Sequence, residues 1–306
     1  MITWVVGRGG LLGSAVSRAV GDEFVGVAVP WTDPVGATAT LRSDLSRFVA
    51  SADAHDWAIV WAAGSGVVAS EARQLQDELD VLASFVEELA EHPPAGRGVF
   101  VLASSAGGVY AGSRHPPFDE STEPRPLSPY GEAKLAAEKL TEERLSGRVP
   151  VVIGRLSNLY GPGQDLTKRQ GLVSELCLGA IRRRAVNVYV PMQTLRDYLY
   201  VDDAAAMIAD LALHAVTAQP REVVLRNLAS GLPMSVGGVV RVVQQVTRQT
   251  VRIGMGQHPS AARQVLDLRM TTRAGASPRL HAPMPFPAGV RRVYEHTFAE
   301  FRGAHR

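Results

Sequence analysis

The sequence predicts an α/β protein: a doubly wound parallel sheet followed by a smaller C-terminal α/β lobe. Three observations carry that prediction. Short apolar runs alternate with helical patterns through the first half of the chain. These runs are continuously apolar rather than alternating, as strands covered on both faces are. A glycine-rich turn, VVGRGGLLGSAV, joins the first run to the first helical segment. Parallel strands linked through helices need right-handed crossovers, which stack helices on both faces of one sheet.

Taken in order, the strands are ITWVV (2–6), FVGVAV (24–29), WAIVWAA (57–63), GVFVLASS (98–105) and VPVVIGRL (149–156), with helices near 11–20, 69–92 and 130–145. In the middle helix Leu75, Leu79, Leu82, Val86 and Leu89 recur at helical spacing, an apolar stripe expected to pack mostly on the sheet. Beyond residue 160 helical patterns at 172–184, 203–215 and 235–247 are separated by short strands near 186–190, 196–200 and 223–228. The tail HAPMPFPAGVRRVYEHTFAEFR ends in an amphipathic helix. The chain therefore divides into residues 1–160 and 161–306, the second part returning strands to the main sheet. Its loops would lie over the carboxyl edge, where open α/β sheets bind ligands.

Composition narrows the function classes. Of 306 residues 46% are hydrophobic and 20% charged, which supports a sizeable core and excludes disorder. With 32 basic against 30 acidic residues and net charge +2, and no basic stripe interleaved with aromatics, no nucleic-acid partner is expected. The run Arg182, Arg183, Arg184 reads as a helix C-terminus facing water. The one cysteine, Cys177, excludes an internal disulfide and a cysteine-built metal site; within GLVSELCLGAI it reads as a buried structural thiol. No metal is expected. MITWVVG carries no charged leader, and no apolar run reaches the roughly 18 residues of a membrane span. The expectation is a soluble cytoplasmic protein with no membrane partner.

Three motifs carry chemistry. In VVGRGGLLGSAV, Gly7, Gly10 and Gly13 lie between a strand and a helix. Glycines there permit a tight turn and let backbone approach a pyrophosphate, which the helix N-terminus stabilises; this is Rossmann-like. In SPYGEAKLAAEKL, Tyr130 and Lys134 stand one helical turn apart and so share a face. A free tyrosine has a pKa near 10, and lowering it by about three units takes roughly 4 kcal/mol of preference for the phenolate. A neighbouring ammonium and a cationic nicotinamide would supply it; the competing reading is two ordinary surface residues. In VLASSAGGVYAG, Ser104 and Ser105 end a strand, where a hydroxyl can hold a substrate oxygen while Tyr130 moves its proton.

In this order the three motifs resemble the extended short-chain dehydrogenase/reductase family, which includes sugar-nucleotide epimerases, dehydratases and ketoreductases. The resemblance spans nearly the whole chain: RLSNLYGPGQ (155–164) is similar to that family's R-x-x-N-x-Y-G-P, and LRDYLYVDDAAAMI (195–208) to its R-D-Y-x-Y-V-D-D segment. It implies a dinucleotide-binding domain over 1–160 and a substrate-binding lobe over 161–306. Gly7, Arg8, Gly10, Leu11, Leu12 and Gly13 would line the dinucleotide. Asp44 and Leu45, in RSDL, match a pair that follows the family's third strand and faces the adenine. Ala62, Ala63 and Gly64 match the segment running under the cofactor. Tyr130 would be the general acid/base, Lys134 would bind the nicotinamide ribose and depress the tyrosine pKa, and Ser105 would hydrogen-bond the reacting oxygen. Asn158 matches a substrate-loop asparagine. Arg196 matches an arginine that meets a nucleotide diphosphate; its competing role is a salt bridge to Asp197 or Asp202. Arg263 or Arg269 could add a second phosphate contact.

Three departures from the family bear on function. No acidic residue stands at 28–31, where NAD users bind the adenine ribose; Asp33 comes late, and Arg8 and Arg42 could meet a 2′-phosphate. The cofactor is therefore NAD or NADP. SSAGGVY is one residue longer than the usual form, so Ser104 competes with Ser105, and the spacing of 25 residues to Tyr130 favours Ser105. Gly107 and Gly108 occupy the places of the acid pair of sugar 4,6-dehydratases, which disfavours that reaction. The leading expectation is an NAD(P)-dependent sugar-nucleotide epimerase-type oxidoreductase. Its alternatives are an NADPH-dependent ketoreductase of a nucleotide-linked or other keto substrate and a non-catalytic nucleotide-sensing protein. Family members often pair the helices at 69–92 and 130–145 across a twofold, so a homodimer is expected.

Overall fold

A computed structural model describes residues 1–64, 72–168, 171–218, 222–256, 265–273 and 283–303. The first half runs β1 (Ile2–Val6), α1 (Leu11–Ala19), β2 (Asp22–Phe24), α2 (Pro34–Ala52), β3 (Trp57–Trp61), α3 (Ala72–Glu91), β4 (Gly98–Ser105), α4 (Ala106–Val109), α5 (Pro129–Leu145) and β5 (Val151–Leu156). It continues with β6 (Asn158–Tyr160), α6 (Leu172–Arg182), β7 (Val186–Val188), β8 (Leu195–Tyr200), α7 (Val201–Ala215) and β9 (Val223–Leu228). The rest is β10 (Pro233–Ser235), α8 (Val236–Thr247), β11 (Ile253–Met255), β12 (Asp267–Leu268) and α9 (Phe286–Gly303).

The main sheet is parallel throughout, in the order β2-β1-β3-β4-β5-β9. Continuous apolar strands bury both faces. On one face Trp4, Ile59, Trp61, Phe100 and Ile153 pack with α2 and α3, including Leu45, Phe48, Phe85 and Leu89. On the other Val5, Val60, Val101 and Val152 pack with Val16 of α1 and Ala204, Ala205 and Ile208 of α7. This is the doubly wound sheet the sequence predicts. The second half returns both α7 and β9 to it, while α6, α8 and α9 form a separate core around Tyr160, Tyr198 and Tyr200. Among the described residues no helix is long and apolar enough to cross a membrane.

Two stretches differ from the sequence expectation. FVGVAV pairs only through Phe24, and residues 25–30 carry no strand. Strand β2 is the sheet's edge, and the Val27 N–H donates to the Asp44 carboxylate at 2.6 Å instead of to a neighbouring strand. Helix α2, 19 residues long, occupies a stretch to which the sequence expectation assigns no element. Its signals are Asp33 at the N-cap, Pro34 in the first turn and a buried line of Ala37, Leu41, Leu45, Phe48 and Ala52. The stripe on α3 behaves as expected: Leu75, Leu82, Val86 and Leu89 are buried and Leu79 is half-buried. Helix α6 ends at Arg182, with Arg183 in a left-handed cap and all three arginines exposed.

Cys177 is fully buried in α6, and burial pushes its thiol pKa up to about 12. The protonated thiol is the poor nucleophile of the pair. The folded protein is therefore expected to ignore a thiol-specific reagent at mildly alkaline pH and to react with one equivalent after denaturation. Rapid native labelling would place Cys177 outside the core.

Candidate active site

The glycine turn follows from steric necessity. Gly7 has φ +90°, and a Cβ there would stand 2.6 Å from the Ala63 nitrogen and 2.8 Å from the Ala62 carbonyl carbon. A Cβ on Gly13, in the first turn of α1, would collide with the Gly7 carbonyl. Side chains at either position would push α1 and β1 away from the end of β3. Gly10 caps α1 without a side-chain oxygen, so the first-turn amides of Leu11, Leu12 and Gly13 have no intrahelical acceptor. Leu12 is itself in the core and can meet a ligand only through its backbone. This narrow cradle, open at a helix N-terminus, fits a dinucleotide pyrophosphate.

The crevice continues along the carboxyl edge. Gly64 has φ +140°, and a Cβ on it would lie 3.4 Å from the Lys134 ammonium and 3.5 Å from Glu78 Oε2. Lys134 Nζ is 5.8 Å from the centroid of the Tyr130 ring, within the range at which a ring face attracts a cation. Both residues sit on α5, whose start is set by Ser128 accepting the Gly131 N–H at 3.2 Å and by Pro129. Two more glycines seat this helix. A Cβ on Gly131 would strike the Gly108 carbonyl, and one on Gly108 would lie 3.1 Å from Tyr130 Cε1. Gly108 is thus used here for close approach of the tyrosine ring.

The two serines separate by strand alternation. Ser104 is buried and donates to the Glu138 carboxylate. Ser105, half-buried, caps α4 by accepting the Gly108 N–H at 3.2 Å, which leaves its own hydrogen available to an oxygen in the crevice. Asn158, exposed at the start of β6, has its Oδ1 3.9 Å from the point where a Gly107 Cβ would stand. Gly7, Gly13, Ala62, Ala63, Gly64, Lys134, Tyr130 and Ser105 therefore form one continuous line, with Asn158 facing its far end.

Arg196 lies on β8, between β10 and β12, two residues before Tyr198, which pairs with Asn158 in the β6–β8 register. It is 7% exposed, and its guanidinium donates to the Leu195 carbonyl at 2.8 Å. The structural salt bridge does not form. Asp197 accepts instead from Ser157 Oγ, the Ser230 N–H and Ser230 Oγ, and Asp202 pairs with Arg18. Among the described residues no carboxylate forms an ion pair with Arg196, and burial lowers its pKa. A desolvated cation of this kind is costly unless an anion meets it. Arg269 is held by Asp267, and Arg263 lies outside the described residues.

Asp44 and Leu45 correct the sequence reading. They do not follow a strand; both are in α2 and each is 1% exposed. The Asp44 carboxylate holds the Val27 N–H and Arg47, so it shapes the loop after β2 from within instead of facing a ligand. Arg42 likewise pairs with Glu88 near the end of α3, at the opposite end of that helix from the crevice. Arg8 stays at the rim, its side chain half exposed and 3.4 Å from Glu23.

Beneath the crevice lies a buried network that sequence reasoning missed. Arg155 of β5 forks onto Glu138, donating through Nε at 2.9 Å to one oxygen and through Nη2 at 2.6 Å to the other. Its Nη1 donates to the Tyr110 hydroxyl at 2.7 Å, which in turn donates to the Asp119 carbonyl at 2.9 Å. Burial opposes the Arg155 charge, yet the Glu138 carboxylate outweighs it and raises the guanidinium pKa. Burial also raises the Tyr110 pKa. The signal was present: Tyr130, Lys134 and Glu138 repeat at four-residue spacing along one face of α5.

Comparison with known proteins follows the same lines. The family model described as "NAD dependent epimerase/dehydratase family" matches residues 3–225. The dTDP-L-rhamnose 4-epimerase of Burkholderia thailandensis is 32% identical over 126 residues, 40% of this chain and 34% of that one. The chain spans about a third of the length of the curated relatives it matches, 34% and 35% for the first two. Among solved structures, UDP-glucose 4-epimerase of Thermotoga maritima with UDP-glucose has TM-score 0.76 at 17% identity, over 100% of both chains. RMD of Pseudomonas aeruginosa with NADPH has TM-score 0.76 at 20% identity, over 98% of this chain and 99% of that one. These two likenesses establish the fold.

The Arg155–Glu138 pair, 5% exposed on each side, gives a stability test. Glu138→Ala leaves a buried guanidinium uncompensated and is expected to cost about 3–5 kcal/mol, read as a lower urea midpoint. Adding Arg155→Leu should recover a large part of that loss. A single-variant cost below about 1 kcal/mol, the range of exposed pairs, would contradict the description of a desolvated pair.

Proposed function

The chain belongs to the NAD dependent epimerase/dehydratase family, and from that premise we propose that it is an NAD(P)-dependent sugar-nucleotide epimerase-type oxidoreductase. The observation that carries the reading is the meeting of the Lys134 ammonium and Tyr130 ring with Gly64 and Gly108, in line with the cradle at Gly7 and Gly13. Bound there, NAD or NADP would supply a ring that reversibly accepts and returns a hydride.

The chain's own residues would do the rest. Tyr130 takes the proton of a sugar hydroxyl as its carbon gives up a hydride and becomes a ketone. Ser105 donates to the same oxygen and holds it in place. Lys134 stabilises negative charge at the tyrosine oxygen and donates to a ribose hydroxyl. Arg196 offers a planar fork to the diphosphate oxygens, and Asn158 meets the sugar. For the return step Tyr130 would give its proton back to the same oxygen, so that reduction from the opposite face of the ketone would yield the epimer with no net oxidation. The names of the relatives, an epimerase of a dTDP-sugar among them, support a nucleoside diphosphate sugar as substrate. A homodimer through α3 and α5, which pack side by side, belongs to the same reading.

One observation favours a second reading, net reduction of a keto substrate by NADPH. Residues 25–31 carry no carboxylate to clasp an adenine ribose, and Arg8 at the rim could meet a 2′-phosphate. Nicotinamide absorbance separates the two, because an epimerase leaves added cofactor unchanged whereas a reductase consumes one NADPH per product. Tyr130→Phe is expected to lower turnover roughly a hundred- to ten-thousandfold, with dinucleotide affinity retained. Turnover within a factor of a few of wild type would remove Tyr130 from the chemistry.

A further inference from the structure

The chain's four tryptophans all lie within its first 61 residues. Trp4, Trp57 and Trp61 are at most 5% exposed, whereas Trp31 is 40% exposed. Nothing in the fold's core accounts for a large, open indole in the loop between β2 and α2. Among the described residues its one aromatic neighbour is Trp61, against which it lies edge-on, ring centroids 6.3 Å apart at 84°. Trp61 ends β3, and the residues that follow it, Ala62 and Ala63, are those on which Gly7 rests. Trp31 therefore stands at the rim of the crevice, beside the cradle.

Sheet order says which part of a ligand would reach it. The reacting end of the crevice, Tyr130 and Lys134, lies on the β4 side of β1 and β3. A dinucleotide with its pyrophosphate at the start of α1 and its nicotinamide at Lys134 must send its adenosine the other way, toward β2 and the loop that leaves it. That loop, VGVAVPWT over 25–32, contains no charged residue. Its Val25 and Val27 are 48% and 59% exposed. Asp33, the first carboxylate, is folded back over the start of α2, where a Cβ on Gly36 would collide with it.

We propose that Trp31 is the adenine platform of the cofactor site: the indole stacks on the purine, and apolar contact replaces a carboxylate clasp on the ribose. This rests on the dinucleotide reading given above. Every purine has a face to stack, and stacking does not sense the ribose 2′ position. The platform therefore serves NAD(H) and NADP(H) alike, and discrimination between them falls to Arg8. Base–aromatic stacking, judged by removal of the ring, changes affinity roughly five- to hundredfold.

Fluorescence titration of wild type, Trp31→Ala and Trp31→Phe with NADH, NADPH and reduced nicotinamide mononucleotide tests this without an assay of turnover. The expected result is a five- to hundredfold weaker affinity of Trp31→Ala for both dinucleotides. Trp31→Phe should recover most of that loss. The mononucleotide, which has no adenosine, should bind wild type and Trp31→Ala equally. Equal dinucleotide affinity of wild type and Trp31→Ala would overturn the proposal, as would equal weakening of the mononucleotide, which would mark Trp31 as a structural residue. If the wild type bound neither dinucleotide, the cofactor reading itself would fall, and the platform with it.

Discussion

Backbone has to touch backbone at the carboxyl edge of this sheet, and the site depends on that close approach. Gly7 rests on Ala62 and Ala63, Gly13 on Gly7, and Gly131 on Gly108. Each contact leaves no room for a Cβ, and each joins two elements that carry functional groups: the cradle to the end of β3, and the tyrosine helix to the turn after β4. A side chain at Gly7, Gly13 or Gly131 would force the elements apart, since its Cβ would stand within 2.6 Å of backbone. The geometry of the chemistry is thus set by four residues that contribute no chemistry of their own.

Charge is arranged in two layers around that edge. Below it the Arg155–Glu138 pair is fully enclosed and internally satisfied, with Ser104 and Tyr110 completing its hydrogen bonds. Above it the polar groups are left incomplete: Ser105 keeps its hydrogen, Lys134 faces the crevice over Gly64, and Arg196, buried and in no described ion pair, is only partly offset by the field of Asp267. A buried network in which each polar atom has a partner specifies a rigid floor. Groups with hydrogen-bonding capacity left over are suited to receive a ligand. Adjacent serines fall on opposite sides of that division, because successive residues of a strand point to opposite faces.

Much of this was legible in the sequence, for reasons that differ by residue. The strand–turn–helix around Gly7, Gly10 and Gly13 reads locally because backbone conformation and close approach permit little but glycine. The Tyr130–Lys134 pair reads because helical spacing translates directly into a shared face. Asp44 misled because its motif presumed a preceding strand, whereas here it lies within α2 and is an internal anchor for the loop at Val27. The Arg155–Glu138 pair escaped because its partners are 17 residues apart on different elements, and no local pattern encodes that contact. Trp31 also escaped, since an exposed indole is recognisable only once sheet order shows which half of a ligand would pass it.

On the proposed reading one dinucleotide would lie across the edge from Trp31 to Tyr130. A crystal structure of the chain with NADPH and a nucleoside diphosphate sugar tests it most directly. The expected result is the pyrophosphate at the amides of Leu11, Leu12 and Gly13, the nicotinamide between Lys134 and Ser105, and the sugar oxygen within hydrogen-bond reach of the Tyr130 hydroxyl. A dinucleotide bound elsewhere, or a tyrosine oxygen turned away from the sugar, would contradict it.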